Sequence, residues 1–357
     1  MKTRLLMAAL ALTAAAVVFA PAAGSAAAAR DGGARSGPGS GIAPLAARAS
    51  AITAQHSGVT AELSGVSFSS GTSGWAVGAG GTVVSTVNGG KTWKRQRSGI
   101  TNVALTAVDS LGSKKAWAVS DAGDVLRTAN GGTSWSRGSW SGTHPAMFFA
   151  LDFVDGTHGW IAGLETRPIL QNSSALTAST TDGGRGWTSR MPLETEARLG
   201  MVCLSVDFVS AQVGYALINN QDGESRIYRS DDGGATWNEV LPTVADTLRD
   251  VSFSDVAHGW AAGRNNEGAV VFRTVDGGAT WDSIQLGVGD GLEAAQAVGA
   301  ATLWVCGDNG FLGYTADGGE TWNGGHVTGG DLNDISFVTA RSGWAAGGGG
   351  TILRIKL

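Results

Sequence analysis

Six copies of one eight-residue turn constrain this chain more than any other feature. They read T-V-N-G-G-K-T-W at 86–93, T-A-N-G-G-T-S-W at 128–135 and T-T-D-G-G-R-G-W at 180–187. They continue as S-D-D-G-G-A-T-W at 230–237, T-V-D-G-G-A-T-W at 274–281 and T-A-D-G-G-E-T-W at 315–322. Successive copies start 42, 52, 50, 44 and 41 residues apart. A period of about 40–50 residues marked by turn signals is a repeat array, and strand-rich units of that size build a β-propeller.

A second signature counts the units independently. An apolar-aromatic step leads into a Gly-Trp-like strand seven residues on: Phe68 to Trp75, Phe153 to Trp160, Phe208 to Tyr215, Phe253 to Trp260 and Phe337 to Trp344. Ser110 to Trp117 and Ala297 to Trp304 keep the spacing with a small residue first, which makes seven units. Two residues before each step stand Val66, Val108, Leu151, Val206, Val251, Ala295 and Ile335, the alternation a half-buried strand requires. Each unit therefore predicts four antiparallel strands, A to D, with the Gly-Gly turn between C and D. The last unit ends at Leu357 after strand C. Residues 52–58 (I-T-A-Q-H-S-G) match 93–99 (W-K-R-Q-R-S-G), so the N-terminal strand is expected to supply the missing strand D and close the ring.

Residues 1–29 have the character of a secretory signal peptide, with Lys2 and Arg4 before an apolar run and Ala27 to Ala29 at its end. Residues 30–48 read as a flexible Ala/Gly/Ser tether and 49–357 as the propeller. A secreted or extracytoplasmic protein is the expectation. With 30 acidic against 25 basic residues, nonspecific binding to nucleic acid or anionic lipid is disfavoured. Cys203 and Cys306 occupy core positions of units four and six, which are not adjacent, so a bond between them is not expected.

The turn resembles the Asp-box, or BNR repeat. The pattern V-x-F…H-G-W-A-x-G…T-x-D-G-G-x-T-W, clearest in 251–281, resembles the photosystem II stability/assembly factor family, and the resemblance spans nearly all of 49–357. It implies one seven-bladed propeller acting as a non-catalytic scaffold for a protein partner, here in the cell envelope. The family's basic patch does not transfer residue by residue, since Arg249 is the sole arginine of its strand A stretch. Asp-box sialidases and xyloglucanases suggest an alternative, a carbohydrate-active hydrolase or a glycan-binding lectin. Neither an F-R-I-P signature nor a catalytic Tyr outside the repeat strands supports it. An enzyme is not the expectation, and neither a cofactor nor a metal is expected. A monomer is.

The turn residues Asn88, Asn130, Asp182, Asp232, Asp276 and Asp317, with Trp93, Trp135, Trp187, Trp237, Trp281 and Trp322, read as structural. His158 and His258 stand in register before the Gly-Trp strand and suggest a shared turn role. Function is sought where connections exceed their siblings: 138–147, 163–175, 190–200 and 218–225. These predict a binding sector of Trp140, His144, Glu165, Arg167, Asn172, Glu194, Glu196, Arg198, Asn219, Asn220, Asp222 and Glu224, joined by Arg264 and Asn265. Trp140 and Arg167 are its expected anchors.

Overall fold

The computed structural model describes residues 42–45, 52–142, 144–167, 172–190 and 200–357. The signal-peptide reading and most of the tether lie outside them. Seven small sheets form a ring. The innermost strand A of the blades runs, in order, Leu63–Phe68, Leu105–Leu111, Ala146–Phe153, Val202–Phe208, Thr247–Phe253, Leu292–Ala297 and Leu332–Thr339. Strands B, C and D follow outward as antiparallel neighbours. The ring closes as expected. Ile52–Gln55 pairs antiparallel with strand C of blade 7, Thr351–Lys356, in the register Ile52↔Ile355 to Gln55↔Ile352. Gln55 also reaches into blade 1, donating to the Gly89 carbonyl and accepting from the Trp93 indole.

Two blades carry a fifth, parallel strand. Ser139–Trp140, from the long connection entering blade 3, pairs with Gly186–Arg190. Ala43–Pro44 pairs with Asn323–His326 of blade 6, and Leu45 beside it is buried in the core. Part of the stretch read as a tether is thus pinned to the propeller.

Flat aromatic stacks join the blades. The strand B aromatic of one blade lies on the strand A phenylalanine of the next: Trp117 on Phe153, Trp160 on Phe208, Tyr215 on Phe253, Trp304 on Phe337 and Trp344 on Phe68. The turn tryptophans Trp93, Trp187, Trp237 and Trp281 meet the same rings edge-on. Each such Phe faces a glycine across its own blade, Phe68↔Gly74, Phe153↔Gly159, Phe208↔Gly214, Phe253↔Gly259 and Phe337↔Gly343. Where the Phe is absent the glycine is absent too: Ser110 faces Ala116 and Ala297 faces Leu303. A Cβ on Gly259 would sit 2.2 Å from the Phe253 ring, so the glycine is the space the ring fills.

Within each Gly-Gly turn the acid or amide is a hub. The leading hydroxyl donates to it, as Thr274 Oγ1 does to Asp276 Oδ1, and also accepts the N–H of the second glycine, Gly278. The hydroxyl before the tryptophan donates to the other carboxylate oxygen, as Thr280 does to Asp276 Oδ2 at 2.6 Å. The two glycines hold left-handed backbone, φ 73° and 95° at Gly277 and Gly278, which suits the residue without a Cβ. Gly186 lacks the second hydroxyl. Its φ is not left-handed, and a Cβ there would lie 3.3 Å from Asp182 Oδ2, beside the acceptor. Gly186→Thr should therefore stabilise the protein by about 0.5–1 kcal/mol, read by denaturant unfolding. A loss of stability would show that the neighbouring Ser139 strand cannot accommodate the side chain. His158 and His258 share a turn role as expected, each ring nitrogen meeting the carboxylate three residues earlier, Asp155 and Asp255. Cys203 and Cys306 are free and fully buried.

Candidate functional site

Strand A of every blade contains a β-bulge, one residue after its leading apolar side chain. The seven unpaired residues are Ser64, Thr106, Phe149, Leu204, Arg249, Glu293 and Asn333. A bulge re-aims a side chain, and here all seven line a central cavity of about 380 Å³. Thr106 is occupied by the Phe148 carbonyl, and Asn333 by Glu62 and the Leu63 carbonyl. On four consecutive blades, 3 to 6, the ring runs Phe149, Leu204, Arg249, Glu293. All four are half-buried, apolar on one side and charged on the other. The Arg249 Nε lies 3.9 Å from Glu293 and has no hydrogen-bond partner.

The rest of the channel wall holds the ring together. One side chain bridges each blade junction. Phe153, Phe208 and Phe253 donate their N–H groups to Asp109, Asp152 and Asp207 of the preceding blade. Ser252, Gln296 and Ser336 accept from Ala297, Phe337 and Phe68 in the same way, and Ser67 donates to Asp109. Asp250 and Asp334 add bonds from Ala295 and Val66. These five carboxyl groups thus share one channel with Glu293 of the bulge ring. Burial, reinforced for some of them by their mutual repulsion, pushes Asp109 up to about 6, Asp207 to about 7 and Asp334 to about 8, and raises Asp152 and Asp250. The folded state then holds more protons than the unfolded chain, so stability falls as pH rises between about 4 and 8. The exposed turn carboxylates Asp232, Asp276 and Asp317 are shifted down and act below that window, losing their contribution as pH falls. The melting temperature should drop on the order of 5 °C from pH 5 to pH 8. Asp334→Asn, which keeps a carbonyl acceptor, should flatten that slope, and an unchanged slope would remove the channel as its source.

The sector expected from loop length is only partly assembled as a surface. Glu194, Glu196 and Arg198 lie outside the described residues. Arg167 and Asn172 pair at the end of a blade 3 hairpin, and their side chains are not described. Trp140 is built into blade 3, edge-on to Phe148 at 5.4 Å, so it packs the core. Glu165 is buried on strand B of that blade, and His144 is half-buried in the connection. Asn219 is a blade staple, donating to the Leu248 carbonyl and accepting from Ser225. Asn220 caps its own loop by accepting the Asp222 and Glu224 N–H groups and donating to the Glu224 carboxylate. Arg264 approaches Asp308 of blade 6, and Asn265 pairs with Gln285. Sequence reasoning passed over Phe149, Leu204 and Glu293. Their one visible signal is that this position varies freely while its neighbours repeat.

Among the described residues no group of three or more His, Cys, Asp or Glu is placed to hold a metal ion. The family model for photosynthesis system II assembly factor YCF48 matches residues 46–147 and 230–323, more than half of the chain. The chain belongs to this family. Among solved structures, a YCF48 bound to D1 peptide is 19% identical with a TM-score of 0.68, covering 86% of this chain and 97% of that one. YCF48 from Cyanidioschyzon merolae is 19% identical with a TM-score of 0.67, covering 86% and 98%. The GH74 xyloglucanase from Xanthomonas campestris is 14% identical with a TM-score of 0.63, covering 86% of this chain and 53% of the enzyme. At these identities the likeness is one of fold. No curated protein matches the chain in sequence.

Proposed function

We propose that this YCF48-family propeller is an exported, non-catalytic scaffold that holds a polypeptide segment at its bulge ring. The carrying observation is the arc Phe149, Leu204, Arg249 and Glu293, four adjacent residues that follow no repeat and line the cavity half-buried. An apolar surface beside a cation and an anion suits a peptide, which offers side chains and backbone dipoles together. The channel aspartates support a scaffold rather than a catalyst, because each already accepts a backbone N–H across a blade junction. A YCF48 of the same fold is bound to a D1 peptide, which supports a peptide ligand of some kind here. The composition of residues 1–29 supports export.

The test is a fluorescence-anisotropy screen of peptides from exported and membrane-protein tails. For a hit, Phe149→Ala and Arg249→Ala should each weaken binding at least about tenfold, roughly 1.4 kcal/mol. Leu241→Ala, in the blade core, serves as the control that moves melting temperature. Binding that survives both ring changes and is lost on Asp232→Ala would place the site on the opposite rim.

A further inference from the structure

The seam where the ring closes carries a second feature, independent of the bulge ring. A cleft of about 470 Å³ opens between blade 7 and blade 1, lined by Arg354 and Lys356 on one side, Asn88 and Lys91 on the other, with Thr53 and Thr72. Arg354 lies flat on Trp344, its guanidinium carbon 3.7 Å from the ring centroid. One terminal nitrogen makes only long contacts, 3.4 Å, to the Gly71 and Gly89 carbonyls, the other donates to the Ser342 hydroxyl at 3.2 Å, and the buried Nε has no partner. Lys91 and Lys356 are exposed at the rim. Among the described residues, none of the three cations forms an ion pair with a carboxylate.

The repeat supplies its own control. Register places Arg127, Arg229 and Arg273 where Arg354 stands, each beside the strand B aromatic. Arg229 is paired with Asp231 and reaches the turn of Asp276 through the Gly277 carbonyl. Arg273 faces a turn with Asp317 and Glu320 at the positions of Asn88 and Lys91. The closing seam therefore holds three positive charges and no acid, where the counterparts at Arg229 and Arg273 each hold one arginine and two acids and the one at Arg127 holds two arginines, Arg127 and Arg185, and one acid, Asp182. In a chain with a net charge of −5 such a concentration is against the trend.

We propose that the closing seam binds a phosphate group. Nη2 of Arg354 has a second N–H beyond its bond to Ser342 that can meet an oxyanion, two ammonium groups complete its neutralisation, and a doubly charged anion suits three cations better than a carboxylate does. Free phosphate and a phosphate ester on a larger molecule share this chemistry.

Isothermal titration calorimetry of the whole chain at low ionic strength decides it, with inorganic phosphate, glycerol phosphate and acetate as separate probes. One phosphate per chain is expected, with acetate at least about tenfold weaker. Equal binding of the two phosphate probes identifies the free anion as sufficient, and tighter binding of glycerol phosphate identifies an ester. Lys91→Glu with Lys356→Glu, both at exposed positions, should weaken phosphate at least about tenfold while melting temperature holds. Arg354→Lys, which keeps the charge and loses the Nη2 donor, should also weaken it. No phosphate binding, binding unchanged in the double variant, or acetate binding as tightly as phosphate would overturn the assignment.

Discussion

Deletion of residues 49–60 should lower the melting temperature by at least about 10 °C, or leave the protein aggregated. The segment supplies the outer strand of blade 7, four residues in register with Ile352 to Ile355. It also anchors the seam from both sides, through Gln55 to blade 1 and through the Ser57 hydroxyl to the Gly350 carbonyl. Without it the outer edge of Thr351–Lys356 would face solvent, and the partly buried Ile52 would leave the core it packs against. An open edge also invites pairing with other chains, so size-exclusion chromatography belongs beside the melting scan. A deletion variant that melts like the intact chain and stays monomeric would show that the inner strands alone hold the ring.

Gly259→Ala should cost about 3 kcal/mol, an unusually large effect for one methyl group. The new Cβ would lie 2.2 Å from the Phe253 ring. That ring cannot retreat. Tyr215 lies parallel to it with centroids 3.4 Å apart, and Trp281 meets it edge-on at 6.0 Å. Phe253→Ala alone should cost about 3–5 kcal/mol through the lost ring and the cavity it leaves. In that background Gly259→Ala should cost almost nothing more, because the clash has been removed. A double-mutant cycle in urea measures the coupling, and additive losses would refute the explanation. The natural pairs Ser110 with Ala116 and Ala297 with Leu303 show the same rule already at work.

Peptide binding, phosphate binding and the pH slope rest on different residues. Phe149 and Arg249 belong to the bulge ring, Lys91 and Lys356 to the closing seam, and Asp334 to the blade staples. Each test can therefore fail without touching the other two.

The architecture was legible in the sequence because a propeller writes each contact seven times. Six turns and seven strand A-to-B steps of fixed seven-residue spacing repeat along the chain, and chemistry that repeats reports the fold. Blade number and strand order followed from that, closure by the N-terminal strand from the match of 52–58 to 93–99, and the core place of both cysteines from the same register. In the folded ring the turn carboxylates and their flanking hydroxyls form local hydrogen-bond hubs, as at Asp276. Loop length drew a binding sector, within which Trp140 lies in the added parallel strand of blade 3, edge-on to Phe148, and Asn219 staples blade 4 to blade 5. Only the folded ring decided the rest. A bulge breaks period-two alternation, so the direction in which Phe149, Leu204, Arg249 and Glu293 point cannot be counted along a strand. The meeting of Arg354 and Lys356 with Lys91, more than 260 residues apart in sequence, exists only because the ring closes, and charges brought together by closure leave no pattern in a linear sequence.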